Sequence, residues 1–246
     1  MINIVAIVQA RMGSTRLPGK VLMDILDVPM LAREVTRIGK SKKINYTVVA
    51  TTKEPIDNSI IKMCKQFGFD SFRGHETDVL DRYYQCAHAF DADVVVRLTG
   101  DCPLIDPEII DATIDKFLKC YPSTDYASNV FPVRTFPRGL DVEIMKISAL
   151  ETSWWDETNL ALREHVTQHI IWNPERFTIA EITNDIDLSG MRWTVDEIED
   201  FRFVHAVYSH FGNNTFSWKD VLKLVTAQPE LQEINRTVQQ KEIHPS

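Results

Sequence analysis

A cluster of cationic and hydrogen-bonding side chains occupies residues 9–20, which read QARMGSTRLPGK. Guanidinium and ammonium groups bind phosphate oxygens strongly, and glycines let a phosphate approach the backbone closely. The composition therefore predicts a loop that binds a polyphosphate. The residues expected to contact it are Gln9, Ala10, Arg11, Gly13, Ser14, Arg16 and Lys20.

Two familiar phosphate-binding motifs do not fit this loop. Gly13 and Gly19 enclose five residues and Lys20 is followed by Val21, so the GxxxxGK[ST] motif is absent. A GxGxxG dinucleotide fingerprint is absent as well. The alternative is a solvated surface loop whose charges bind nothing. Its place directly after the first predicted strand favours a binding role, because ligands of α/β sheets lie beyond the carboxyl ends of strands.

Two aspartates could hold a divalent cation. Asp101 follows the hydrophobic run at residues 94–98, and a carboxylate there can bind Mg²⁺ together with substrate phosphates. The alternative is that Asp101 caps a turn or the helix expected near Pro107. Asp196, in RWTVDEIED, is the second candidate, and it could equally cap a helix that begins at Glu197.

Alternating strand and helix patterns in the first half would position these side chains. Strands predicted from β-branched runs and helices predicted from apolar periodicity follow one another. This alternation predicts an α/β fold with a mostly parallel sheet covered on both faces, that is, three layers. The predicted strands are 3–9, 46–50, 69–72 and 94–98, and the predicted helices are 30–38, 56–67, 78–90 and 107–118.

The pattern breaks at residues 122–138, where three prolines predict a connection or a projecting arm. Beyond it we expect strands at 141–145 and 177–182, and helices at 160–172 and 197–210. The last stretch, 228–246, is a polar tail. We therefore expect one domain over 1–246, with a nucleotide-binding half at 1–121 and an acceptor-binding and dimerisation half at 122–227.

Composition excludes several classes of protein. With 246 residues, 44% of them hydrophobic and 25% charged, the chain is expected to fold around a substantial core. A net charge of −8 argues against binding to nucleic acid or to an anionic membrane. No apolar run approaches the length of a membrane span. The four cysteines lack CxxC spacing, which predicts reduced thiols in a cytoplasmic protein.

Four segments, QARMGSTRLPGK, RLTGDCPLID, RGLDVEI and RWTVDEIEDF, together resemble the sugar-activating cytidylyltransferases. The resemblance is to the spore coat polysaccharide biosynthesis protein F group, which is related to 3-deoxy-manno-octulosonate and acylneuraminate cytidylyltransferases. It runs from Ile4 to about Phe203. It implies a Rossmann-like nucleotidyltransferase fold that uses CTP and Mg²⁺, transfers CMP to a sugar hydroxyl and releases pyrophosphate, for surface polysaccharide biosynthesis.

The resemblance also implies roles for individual residues. Arg11, Ser14, Arg16 and Lys20 fall on the triphosphate loop, Asp101 on the metal-binding aspartate and Asp196 on a second one. Arg16, Lys20 and Asp101 are then the expected catalytic residues. The family's Ser-Gly-Thr-Asp/Glu-Arg stretch is replaced by RGHETDVLDR at residues 73–82, which leaves the acceptor open.

The remaining site residues are expected at other strand ends and in the second half. Candidates for the wall of the base pocket are Thr51, Thr52, Lys53, Arg73 and Gly74, with solvated side chains as the alternative for Lys53 and Arg73. Candidates for an anionic sugar or polyol are Arg138, Asp141, Arg163 and His165. On the predicted helix 160–172, His165 and His169 would share a face, as would Arg163 and Thr167. Ordinary packing is favoured over metal binding for the two histidines, because HxxxH lacks the glutamate of a zinc protease.

Other functions remain open on the sequence alone. One is a nucleotidyltransferase that acts on a sugar 1-phosphate with another NTP. A second is a catalytically silent nucleotide-binding partner in polysaccharide assembly. The apolar residues of the second half, including Trp154 and Trp155, predict a homodimer.

Overall fold

The computed structural model describes residues 2–240, and a seven-stranded sheet lies at its centre. The strands are β1 (Ile4–Gln9), β4 (Tyr46–Thr52), β5 (Asp70–Gly74), β6 (Val94–Thr99), β7 (Tyr126–Ser128), β8 (Glu143–Lys146) and β9 (Ile179–Glu181). Their order across the sheet is β5-β4-β1-β6-β8-β7-β9. β8 runs antiparallel to both its neighbours, and the other neighbouring pairs run parallel. A separate hairpin consists of β2 (Asp24–Ile25) and β3 (Val28–Pro29).

Helices cover both faces of the sheet. They are α1 (Met30–Ile38), α2 (Asn58–Phe67), α3 (Val79–Ala89), α4 (Pro107–Lys119), α5 (Ile147–Asp156), α6 (Leu160–Arg163), α7 (Gln168–Trp172), α8 (Ile198–Phe211), α9 (Trp218–Ala227) and α10 (Glu230–Glu233). One core cluster packs α1, α2, α4, α8 and α9 on one face, and another packs α3, α5 and α7 on the opposite face. The predicted three-layer, mostly parallel α/β fold is therefore confirmed.

The central strands show why their sequences are continuously apolar. In β1, Ile4, Ala6 and Val8 enter one core cluster, whereas Val5 and Ile7 enter the other. A strand buried on both faces has no solvent-facing side to mark with polar residues. In the first half, the predicted strands and helices are present, with bounds that differ by at most two residues.

The second half departs from its predictions at β7 and between α6 and α7, and it also contains three helices that were not predicted, α5, α9 and α10. β7 lies inside the stretch 122–138 that was expected to be irregular, and it is buried between β8 and β9. The single helix predicted over 160–172 is wrong, because the chain breaks between α6 and α7. Val166 has φ 58° and is 1% exposed, so burial of its side chain accompanies a turn that no continuous helix permits.

Two further findings concern the whole described chain. No helix within residues 2–240 is both long and apolar enough to cross a membrane. Cys64, Cys86 and Cys102 are buried thiols, and Cys120 is an exposed one. Residues 241–246 of the predicted polar tail lie outside the described part of the chain.

Candidate active site

A pocket of about 290 Å³ lies at the carboxyl edge of the sheet, where β1 and β6 end. The loop at residues 9–20 forms one wall, and the beginning of α3 and the end of β6 form others. Among the predicted residues, the following line it: Gln9, Ala10, Arg11, Gly13, Ser14, Arg16, Lys20, Asp101 and His165. The structure thus brings the predicted phosphate loop and the predicted metal aspartate to one cavity.

Lys20 joins the two candidate aspartates. Its Nζ lies 3.0 Å from Asp101 Oδ2 and 3.1 Å from Asp196 Oδ1, and it also donates to the carbonyl of Val195 at 2.6 Å. Arg16 Nη2 lies 2.9 Å from the same oxygen of Asp196. Two cations and two carboxylates therefore meet where the loop, β6 and the segment before α8 converge.

Neither Asp101 nor Asp196 caps a helix, which was the alternative role that the sequence allowed for each. Asp106 caps α4 by accepting the Glu108 N–H at 2.9 Å. At the start of α8, the carboxylate of Asp200 accepts the backbone N–H of Asp196 and of Glu197. The side chains of Asp101 and Asp196 are instead directed to Lys20.

Hydrogen bonds from neighbouring elements hold the loop and the aspartates in place. Asp57, which is 1% exposed, accepts the Met12 N–H at 2.7 Å and is itself bound by the hydroxyl of Thr52. Thr99 Oγ1 donates to Asp101 Oδ1 at 2.7 Å, and the Val195 N–H donates to the Asp101 carbonyl at 2.8 Å. The loop is thereby tied to the end of β4, and the two aspartates are tied to each other.

Charges in this cluster stabilise one another. Burial by itself would lower the pKa of Lys20, but Asp101 and Asp196 outweigh it and the pKa is raised. Burial would raise the pKa of Asp196, yet Lys20, Arg192 and Arg16 hold it below its usual value. Arg192 donates to Asp196 Oδ2 at 2.8 Å and to Asp200 Oδ1 at 2.8 Å. The ionised forms are therefore kept near neutral pH.

Glu34 lies behind this cluster and was missed by the sequence analysis. It is fully buried in α1, and its Oε2 accepts the Cys102 N–H at 3.0 Å. Burial, aided by the negative charge of Asp101, raises the pKa of Glu34 well above its usual value. The sequence signal for it is a charged residue on the apolar face of α1, four positions after Met30 and four before Ile38, both of which are buried.

The donor set fits a hard divalent cation. Asp101 and Asp196 offer carboxylate oxygens at one place, and Mg²⁺ is typically held by one or two carboxylates with substrate phosphates and water. Within residues 2–240, no group of three His, Cys, Asp or Glu side chains could hold a metal by itself. The remaining ligands would therefore come from the substrate and from water.

The residues expected to form the base wall lie elsewhere. Thr51 and Thr52 are buried in β4, and Thr52 serves the loop through Asp57. The guanidinium of Arg73 donates to the carbonyls of Thr52 and Glu54 and to the side chain of Asn58. None of these residues lines the pocket. Arg73 and Thr52 use their donors at the end of β4 and just after it, and the Thr51 hydroxyl is buried with no hydrogen-bond partner within residues 2–240.

Arg82 enters the pocket from α3 and was not predicted from the sequence. Its side chain lines the pocket beside Val79, although the residue is only 2% exposed. Gly74, one of the predicted nucleotide contacts, acts on it indirectly. A Cβ at position 74 would lie 2.7 Å from Arg82 Cγ, so only glycine leaves room for this arginine.

A second cavity, of about 590 Å³, adjoins the first and shares Arg16, Thr99 and Asp101 with it. On the side of the expected acceptor it is lined by Arg138 and Asp141, which were predicted, and by Arg134, which was not. Arg134 forms a two-point ion pair with Asp141, at 2.5 and 2.9 Å. Arg138 has no side-chain hydrogen bond or ion pair within the described chain, and burial together with Arg134 lowers its pKa.

The structure does not bring Arg163 to either cavity. Its Nε donates to Asp78 at 2.8 Å, and its Nη1 donates to the carbonyls of Trp154 and Glu157. The prediction that Arg163 contacts the acceptor is therefore corrected. Its guanidinium holds α6 in place instead. His165 does line the first pocket, but it shares no helix face with His169, which pairs with Glu157 at 3.5 Å.

Comparison with known proteins assigns the family. A family model described as cytidylyltransferase matches residues 5–241. The spore coat polysaccharide biosynthesis protein SpsF of Bacillus subtilis is 32% identical over 94% of this chain and 97% of its own. A cytidylyltransferase structure from Leptospira borgpetersenii has 36% identity and a TM-score of 0.92, over 98% of this chain and 100% of that one.

A more distant structure agrees in fold. CMP:2-keto-3-deoxy-manno-octonic acid synthetase, solved with CTP, has 20% identity and a TM-score of 0.66 over 85% of this chain and 99% of that one. At this identity the likeness concerns the nucleotidyltransferase fold alone. With the family model and the full-length relatives, the conclusion is that the chain belongs to the cytidylyltransferase family and is a CTP-dependent nucleotidyltransferase.

Proposed function

We propose that this enzyme transfers CMP from CTP to a hydroxyl of a sugar acid, or of a related anionic sugar or polyol, and releases pyrophosphate. The observation that carries the proposal is the contact of Lys20 with both Asp101 and Asp196 at the junction of two cavities. One cavity carries the cationic loop, which suits a triphosphate. The other carries Arg138, whose side chain makes no ion pair within residues 2–240, which suits an anionic acceptor.

The proposed reaction is an in-line displacement at the α-phosphorus. The acceptor oxygen forms a bond to that phosphorus, the bond to the bridging oxygen of pyrophosphate breaks, and the hydroxyl proton passes to water. Ser14, Arg16 and Lys20 hold the β- and γ-phosphates and stabilise the charge that develops on the leaving group. Arg138 orients the acceptor through its anionic group, with Asp141 and His165 at the rim.

Asp101 and Asp196 would hold Mg²⁺ in this scheme. When bound, the ion supplies charge neutralisation at the phosphoryl oxygens and lowers the pKa of the attacking hydroxyl. Lys20 keeps the two carboxylates from repelling each other, and Thr99 fixes the side chain of Asp101. Arg192 fixes the side chain of Asp196 by donating to its Oδ2.

The biological setting is also a proposal. The name of the Bacillus subtilis relative refers to spore coat polysaccharide biosynthesis, and we place this enzyme in a surface polysaccharide pathway of that kind, in the cytoplasm. We further propose a homodimer formed through the second half. Trp155 and Leu160 expose 68% and 72% of their surface there, which favours a subunit contact, and light scattering of the purified protein tests it.

The activity test is a substrate panel. The purified protein is incubated with Mg²⁺, one of the four NTPs, and either sugar acids or phosphorylated polyols; pyrophosphate is followed and products are identified by mass. The expected product is a CMP-linked sugar or polyol, formed with CTP. The Asp101→Asn protein serves as the matched inactive control.

Two outcomes would contradict the proposal. A preference for UTP, GTP or ATP with a sugar 1-phosphate would make the protein the other kind of nucleotidyltransferase. Binding of CTP without pyrophosphate release, across the whole panel, would make it a silent nucleotide-binding partner.

A further inference from the structure

Arg82 is a buried cation, and two of its donor atoms make no hydrogen bond within residues 2–240. These atoms, Nε and Nη1, are inaccessible to solvent. A buried charged donor without an acceptor is strongly unfavourable, so such a group is usually completed by a ligand. Arg82 lines the pocket, so these donors without hydrogen bonds lie at the site proposed to bind the substrate.

The position of Arg82 separates it from the reacting phosphate. α3 packs against β5, β1 and β4, whereas Asp101 follows β6, which pairs with β1 on the side away from β4. A nucleotide whose α-phosphate lies at Asp101 therefore directs one of its ends toward α3. Arg16 Nη2 lies 2.9 Å from Asp196 Oδ1, and Lys20 contacts both aspartates. The cations that bind the phosphates therefore lie beside Asp101 and Asp196. The end that reaches α3 is the nucleoside.

The neighbourhood of Arg82 suits a flat base. Val79 supplies an apolar surface one helical turn before it. The pyrimidine edge of cytosine presents two adjacent acceptors, O2 and N3, whereas uracil presents a donor, N3–H, at the second position. A guanidinium has only donors, arranged as a planar fork. It can therefore pair with both atoms of cytosine but meets a donor in uracil.

We propose that Arg82 donates hydrogen bonds to O2 and N3 of the cytosine base and thereby selects CTP over UTP. The inference rests on the proposed function for its substrate, and it assigns the specificity to one side chain. Gly74 contributes by leaving the space in which Arg82 packs against β5, since a Cβ there would also come within 3.1 Å of Arg82 Cα.

The test compares two nucleotides in matched variants. Wild type, Arg82→Met and Arg82→Lys are assayed for kcat/KM with CTP and with UTP, and for binding of CMP and UMP by calorimetry. In Arg82→Met we expect kcat/KM for CTP to fall about 100-fold while that for UTP changes by less than about threefold. Arg82→Lys should show the same selective loss, because one ammonium group cannot form the fork.

Controls separate this effect from charge and from folding. Arg202→Met removes an arginine of α8 that is 66% exposed, and it should leave both nucleotides unchanged. Arg82→Met should melt no lower than wild type, because it replaces a buried cation whose Nε and Nη1 make no hydrogen bond within residues 2–240. Should it nevertheless fail to fold, Gly74→Ala displaces Arg82 and must weaken CMP binding but not UMP binding.

Parallel losses for CTP and UTP, restored by Arg82→Lys, would overturn the inference and make Arg82 a phosphate contact. Unchanged selectivity in Arg82→Met would also overturn it. Failure of the proposed function is a different result, since selective CMP binding that depends on Arg82 can be measured in a protein that forms no CMP-linked product.

Discussion

Charge is arranged in opposite ways at the junction of the two cavities and away from that junction. Where they meet, Lys20 lies within 3.1 Å of both Asp101 and Asp196, so the protein supplies its own counter-charges. Away from that junction, Arg82 Nε and Nη1 make no hydrogen bond within residues 2–240, and the side chain of Arg138 makes no hydrogen bond or ion pair there. A cluster that is paired in advance holds its geometry before substrate arrives, which is what stabilisation of a transition state requires. An arginine without a partner is instead completed by the ligand that it recognises.

The largest effect should come from breaking the paired cluster. Asp101→Asn removes one charge from the junction and should lower kcat by about 10²–10³-fold, because a charge aimed at the reacting group contributes about 3–4 kcal/mol. The measurement is pyrophosphate release with CTP. Asp115→Asn, at a carboxylate that is 62% exposed on α4, is the control. Equal rates for Asp101→Asn and wild type would show that the cluster is structural only.

The next effect concerns the backbone that presents Arg138. Gly139 has φ +102°, and a Cβ there would lie 2.6 Å from the backbone of Trp193 and Thr194. Gly139→Ala should therefore reduce the free energy of unfolding by about 2–3 kcal/mol. Urea denaturation measures this, and Gly190→Ala, which would meet nothing within 4 Å, is the matched control. Similar midpoints for the two variants would contradict the expectation.

A direct contrast between a free and a paired arginine sharpens the comparison. Arg138→Met should raise the KM for the acceptor about 10–100-fold and leave the KM for CTP unchanged, since hydrogen bonds to charged groups contribute about 1.5–3 kcal/mol. Arg163→Met is its counterpart. Because Arg163 holds Asp78 at 2.8 Å, its loss should lower the melting temperature without raising the KM for the acceptor. A raised KM for the acceptor with an unchanged melting temperature in Arg163→Met would instead show that Arg163 contacts the acceptor.

The smallest effect should appear at Glu34, and only in stability. The folded pKa of Glu34 lies well above the value of 4.5 of an unfolded chain, so the folded protein retains a proton that the unfolded protein releases. The free energy of unfolding should then fall as pH rises from about 4.5 through the folded pKa. Glu34→Gln keeps the acceptor for the Cys102 N–H and removes this dependence.

Urea midpoints at pH 5 and pH 8 test this prediction. The advantage of Glu34→Gln over wild type should grow with pH. Glu108→Gln, at a side chain that is 66% exposed, should show no such growth. A constant difference across the two pH values would mean that Glu34 is ionised in the folded protein.

Different parts of the fold were accessible from sequence to different degrees. β1 and β6 were predicted because burial on both faces imposes an uninterrupted apolar run. β7 was not, because three residues are too few to show a period. The break between α6 and α7 depends on where Val166 packs, and its local composition is compatible with a helix.

Adjacent residues are enough to predict the alternation of strands and helices in the first half, the cationic loop after β1 and the carboxylate after β6. Which charges meet depends on the folded chain. Lys20 contacts Asp196 across 176 positions, Arg163 contacts Asp78 across 85, and Nε and Nη1 of Arg82 meet no acceptor within residues 2–240. Pairing of charges depends on distances of a few ångström between distant segments, and such distances exist only once the sheet has brought its strand ends to one edge.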